Sequence, residues 1–143
     1  MTLTTIRIQE RSTSKNHKRL HGIQLAFSNG VETPFFKGFN TEQEEEVVSI
    51  DVDPTRVISG VSMKTWKDNL TGLRLLDEEG DYIVDYTWQP HEETGTWQET
   101  QWIPTGQTIV GLTVNQPQTD IYRLAFLLWD QYPSLDADLD LNV

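Results

Sequence analysis

Leu20-His21-Gly22-Ile23-Gln24-Leu25 returns as Leu70-Thr71-Gly72-Leu73-Arg74-Leu75 and again as Ile121-Tyr122-Arg123-Leu124-Ala125-Phe126, at offsets of 50 and 51. The echo extends beyond the hexapeptide. Ile8 maps onto Ile58 and Ile109, the Asn29-Gly30 turn onto Glu79-Gly80, and Pro54-Thr55 onto Pro104-Thr105, with one residue inserted near Gly106. A unit of this length cannot bury its own apolar face, so three copies predict three stacked units that share one core. At 143 residues the chain is expected to form a single domain over 1–143, divided into units near 4–53, 54–104 and 105–143.

Within the echoed segments the hydrophobic period is two, and the runs are short and bounded by Gly, Pro, Asn or Asp, which is the punctuation of strands. No helical stripe is sustained, and prolines recur at 34, 54, 90, 104, 117 and 133. The predicted strands are 4–10, 20–27, 31–37 and 46–52, then 57–65, 70–77, 81–88 and 96–103, then 108–114 and 120–129. The third unit is two strands short. From Leu135 to Val143, apolar residues alternate without interruption with Asp136, Asp138, Asp140 and Asn142. That pattern predicts a half-buried strand that closes the third unit, or one donated to a second copy in a homo-oligomer. Its alternate carboxylates do not make a calcium loop, which would need Gly at its sixth position where Leu141 stands.

Three four-stranded antiparallel units have two common closed solutions, a β-prism and a β-trefoil. No unit carries the Gln-x-Trp of many trefoil lectins. The expected class is all-β, a β-prism with a pseudo-threefold repeat, with the β-trefoil as the alternative. Hydrophobic content is 36% and aromatic content 10%, so the core must lean on large rings and β-branched residues. Trp97, Trp102 and Trp129 are expected inside it, and Trp66 at an exposed loop tip.

The chain has no cysteine, which excludes disulfides, thiolate metal sites and thiol nucleophiles together. Met1 to Thr5 does not begin a leader, and no apolar run approaches the ~20 residues that cross a bilayer, so a soluble, cytoplasmic protein is expected. A net charge of −11 opposes binding to nucleic acid. The charge is uneven: residues 1–23 place Arg7, Arg11, Lys15, Lys18 and Arg19 against Glu10 alone, net +4, which leaves −15 on the remainder. A solvated hairpin loop is the simpler account of that cluster, and a dock for an acidic partner the sharper one. His17, His21 and His91 sit in no metal or triad motif, and no phosphate-cradling loop or nucleophile elbow occurs. Neither an enzyme nor a cofactor or metal is expected.

Thr108-Ile109-Val110-Gly111-Leu112, followed by Thr119-Asp120-Ile121 and a final apolar strand, resembles the closing segment of jacalin-related lectins, and Val57 to Val61 with Leu70 to Leu75 is the middle equivalent. The resemblance implies a β-prism that binds sugar through a Gly-x-x-x-Asp loop between the first two strands of a unit. The matching stretch is Gln116-Pro117-Gln118-Thr119-Asp120, where the Asp is kept and Gln116 takes the glycine's place. The ligand-binding candidates are accordingly Asp120, Thr119, Gln116 and Ile121, with Trp66, Asp68 and Asn69 from the middle loop. A turn-capping residue is the plain alternative for Asp120. The function expected is carbohydrate binding through the loops before residues 70 and 121. The alternative is a structural or protein-interaction subunit that kept the prism and lost the sugar pocket.

Overall fold

A computed structural model describes residues 2–12, 18–38, 45–67, 69–88, 95–115 and 120–130, and every element among them is a strand. β1 (Leu3–Ser12), β2 (Lys18–Phe27), β3 (Phe36–Lys37) and β4 (Glu45–Asp51) form one antiparallel sheet in the order β3-β2-β1-β4. β5 (Gly60–Trp66), β6 (Asn69–Leu76), β7 (Tyr82–Thr87), β8 (Thr96–Trp97) and β9 (Gln101–Trp102) form the second, in which β8 and β9 both pair with β5 as two pieces of one broken strand. β10 (Gln107–Val114) and β11 (Leu124–Asp130) pair as the third. The first two sheets share one plan, with a central hairpin flanked on both sides, and the third has the central hairpin among the described residues. The tail from Leu135 to Val143 lies outside them. Among the described residues no helix is long and apolar enough to cross a membrane.

The repeated hexapeptide has a structural cause. In the first sheet Gln9 faces Gly22 and Glu10 faces Leu20, so His21 is the extra residue of a β-bulge; in the second, Lys64 faces Gly72 and Thr65 faces Leu70, so Thr71 is. Both bulged residues are fully buried. The following glycine is required because an aromatic side chain from the flanking segment lies across it: a Cβ at Gly22 would stand 2.7 Å from Phe35 Cε1, and one at Gly72 would stand 2.9 Å from Trp97 Cη2. The third copy has Arg123 at this position. There the Asn115 side chain accepts hydrogen bonds from the N–H groups of Tyr122 (2.6 Å) and Arg123 (2.8 Å), and the strand starts only at Leu124. This is why the predicted strand 120–129 is shorter at its beginning.

The echo is less regular in the first strands. Ile8 faces Ile23, Met63 faces Leu73 and Val114 faces Leu124, so Met63 and Val114 occupy the place of Ile8, and not Ile58 and Ile109. The first hairpin is five residues longer than the other two, as these registers show. Matching Ile to Ile by a constant offset overlooked that loop. The turns fare better: Gly30 (φ 84°) and Gly80 (φ 86°) both take the left-handed conformation expected at Asn29-Gly30 and Glu79-Gly80. The predicted strand 31–37 contracts to Phe36–Lys37 with an isolated bridge between Ala26 and Glu32, Pro34 lying between them without a donor.

The core draws on all three sheets, with Ile6, Ile8, Leu25, Leu73, Leu75 and Ile109 each at most 2% exposed. Trp88 joins it, its indole N–H donating to the Leu70 carbonyl at 2.6 Å. The expectation for the other tryptophans needs correction. Trp97 is half-buried, and Trp102 and Trp129 are exposed at 57% and 70%. Trp97 and Trp102 pair with Lys64 and Gly60 on the face of the second sheet that points away from Val61 and Met63, and they cover Gly72 and Gly60 from outside.

Candidate functional site

The hairpin ends of the three sheets meet at one end of the prism, and polar side chains hold them together. Period two along β1 sets Glu10 on the same inward face as Ile6 and Ile8, and its carboxylate is consequently 2% exposed. Tyr86 of β7 donates its phenol O–H to Glu10 Oε1 at 2.6 Å, and Lys18 Nζ lies 3.1 Å from Oε2. Lys18 is held above its usual pKa, first by the hydrogen bond to Glu10 and then by its charge. Burial, and then the bond to Glu10, pushes the Tyr86 phenol up. A carboxylate this deep is tolerated because both oxygens have partners.

The adjacent residue makes the second tie. Arg11 grips Asp120 in a two-pronged pair, Nε to Oδ1 at 2.8 Å and Nη2 to Oδ2 at 2.6 Å, across 109 residues of sequence. Asp120 is 4% exposed, and His21 Nδ1 lies 3.8 Å from its Oδ1. The next residue, Ile121, is buried in the core and gives its N–H to the Leu20 carbonyl at 2.7 Å. The start of the third unit's final hairpin strand is thereby bolted to β1 and β2.

Of the residues singled out from sequence, Asp120 and Ile121 are together here, but as buried members of this lock. Trp66 closes β5 opposite Asn69, and both are half-buried. Lys67 between them takes a positive φ of 48°, and its carbonyl accepts from Asn69 Nδ2 at 3.1 Å. The Trp66 ring has Lys67 Nζ at 4.8 Å and the Arg19 guanidinium carbon at 5.8 Å from its centroid. Asp68, Gln116 and Thr119 lie outside the described residues, as do His17 and His91. Glu10, Arg11 and Tyr86 escaped the sequence reading as a site. Glu10 was legible, being charged at an inward position of an alternating strand; the Arg11 to Asp120 pair left no local signal. No three His, Asp or Glu side chains converge as a metal-binding group among the described residues.

No protein-family model and no curated protein matches the sequence at a significant level. Solved structures match by shape. The Maclura pomifera lectin MPA, a jacalin-related lectin solved in complex with T-antigen disaccharide, superposes with a TM-score of 0.56 at 17% identity over 90% of this chain and 92% of the lectin chain. PirB superposes with a TM-score of 0.59 at 11% identity over 92% of this chain, which spans 30% of the PirB chain. At these identities the likeness is one of fold, and with the antiparallel sheets described above it fits a β-prism of the jacalin kind.

Proposed function

We propose that this chain is a non-catalytic recognition module that binds carbohydrate at the hairpin end of the prism, through the loops before residues 70 and 121. The observation that carries the reading is the half-buried Trp66 at the tip of the β5–β6 hairpin, beside the Asn69 carboxamide and within reach of Arg19 and Lys67. An indole covers the apolar face of a pyranose, and an amide with nearby cations serves its hydroxyls. The shape shared with a lectin solved with a disaccharide supports the same reading. Asp120 contributes by holding Arg11 and the end of the 116–120 loop, since Arg11 occupies both of its oxygens. Direct contacts fall to Trp66 and Asn69, with Asp68, Gln116 and Thr119 as further candidates.

A glycan array with the wild type, Trp66→Ala and Asn69→Ala tests this. Wild-type binding that drops at least about tenfold in both variants, with an unchanged melting temperature, is the expected result. A wild type that binds no glycan ends the proposal. One observation favours a second reading, a structural or protein-interaction subunit: the carboxylate offered for sugar binding is sequestered by Arg11 inside the fold. A silent array together with an intact, stable prism would select it.

A further inference from the structure

Acidic residues outnumber basic ones by 22 to 11 in this chain, so a half-buried arginine has carboxylates to choose from. Four of the five take one. Arg7 is paired with Glu32, Arg11 with Asp120, Arg56 with Asp77 and Arg74 with Asp85. Arg19 is the fifth, and among the described residues it has no carboxylate partner; its Nη1 is sealed from solvent and makes no hydrogen bond to any of them. A donor in this state has lost water and gained nothing. The ladder adds to the cost, because Arg19 stands directly opposite Arg11, a like-charge pairing, and Arg11 takes both oxygens of Asp120. What Arg19 has is the Trp66 ring, whose centroid lies 5.8 Å from its guanidinium carbon and 4.8 Å from Lys67 Nζ. Lys67 likewise has no carboxylate partner among the described residues.

We propose that this tip takes a saccharide bearing one acidic group, a carboxylate or a sulfate ester, which Arg19 and Lys67 bind while Trp66 and Asn69 hold the sugar; the inference rests on the carbohydrate reading above and names the class of sugar. The two cations decide the sign of the ligand's charge. A cation beside an exposed indole is held weakly, whereas a hydrogen bond to an anionic oxygen is roughly twice as strong as a neutral one, so an arriving anion draws both cations from the ring. Arg19 offers a planar fork and Lys67 a mobile point charge, which together suit an oxyanion of two or three oxygens. Because the guanidinium is delocalised, an anion on its open edge also offsets the sealed Nη1. The acidic body decides the number of charges. A net charge of −11 repels any polyanion that extends past the tip, so a nucleic acid or a polysulfated chain fits poorly and a single local charge fits well.

The test is the full-length chain on an array of matched glycans, each neutral oligosaccharide beside counterparts that carry one carboxylate or one sulfate. The acidic counterparts are expected to bind at least about tenfold more tightly than the neutral one at low salt, and the two acidic arms tell carboxylate from sulfate. This preference should shrink as salt rises from about 0.01 M to about 1 M, where the screening length falls from ~30 Å to ~3 Å. Arg19→Gln and Lys67→Gly should each bring the ratio of acidic to neutral binding toward one. Glycine suits the positive φ of 48° at position 67, so the second variant keeps the hairpin tip. Neutral and acidic glycans bound alike would overturn this inference and leave the carbohydrate reading standing, whereas an array silent in every arm would end both. A preference that survives in both variants would take it away from these cations, and a polysulfated chain that outbinds every singly charged glycan would overturn the choice of ligand.

Discussion

Arg11 and Asp120 show how a residue chosen for ligand chemistry can instead serve the fold. Their side chains are 14% and 5% exposed, so the charges interact with little screening, and removing one takes from the other its two-pronged partner in a buried setting. Asp120→Ala is expected to lower the unfolding free energy by about 3–5 kcal/mol in urea titrations. Arg11→Ala should cost a comparable amount, and the double variant less than the sum of the two, because the pair acts as a unit. Additive losses would show that the pair is uncoupled. Loss of glycan binding in Asp120→Ala is therefore informative only alongside its stability. Tyr86 and Glu10 make the neighbouring tie, and its pH dependence has a definite sign. The Tyr86 pKa in the folded protein is raised above its ordinary value of 10.0. Its contribution is thus complete below about pH 10 and is lost as the pH rises beyond that value. Tyr86→Phe should cost about 1.5 kcal/mol near neutrality, the low end for a bond to a charged group because the phenol is only half-buried. It should also flatten the decline in stability on the alkaline side, leaving the part due to Lys18, whose pKa is raised in the same direction.

The bulged hairpin is the element that the sequence repeats. Its glycine is set by close approach: at Gly72 a Cβ would stand 3.1 Å from the Tyr86 carbonyl oxygen as well as 2.9 Å from the Trp97 indole, and the backbone oxygen cannot swing aside. Gly72→Ala is expected to cost about 1–3 kcal/mol through overpacking. Gly111→Ala, whose Cβ would meet only Leu127 at 3.4 Å or more, should change stability by less than about 1 kcal/mol. Equal effects in thermal or urea melts would show that the indole over Gly72 yields freely. The same element explains which strands could be read from sequence. β2 and β6 were legible because alternation and glycine coincide in them, and the Asn29-Gly30 and Glu79-Gly80 turns because positive φ selects glycine. β3 and the beginning of β11 were not. Pro34 withholds a donor from one, and the Asn115 side chain takes the backbone donors of the other, a contact that alternation does not encode.

At the scale of the whole molecule, three antiparallel sheets share one core, and the first two repeat the same order of pairing. Buried tryptophan was expected at 97, 102 and 129, yet those rings lie outside, and Trp88 is the one within. Period two decides that a ring is on one face or the other, but which face is inner depends on where the other sheets stand. The polar lock at the hairpin end follows the same logic. Glu10 and Arg11 are neighbours in sequence, and their partners Tyr86 and Asp120 come from different units, brought close only when the sheets assemble. The sequence by itself determined the all-β class, the tight turns and the two-faced alternation of the strands, because period, glycine and proline act over a few residues. The tertiary structure alone decided that the first hairpin is five residues out of step, that the tryptophans cover outer glycines, and that Asp120 is bound to Arg11. Each of these depends on contacts between segments far apart in the chain, whose geometry no local pattern carries.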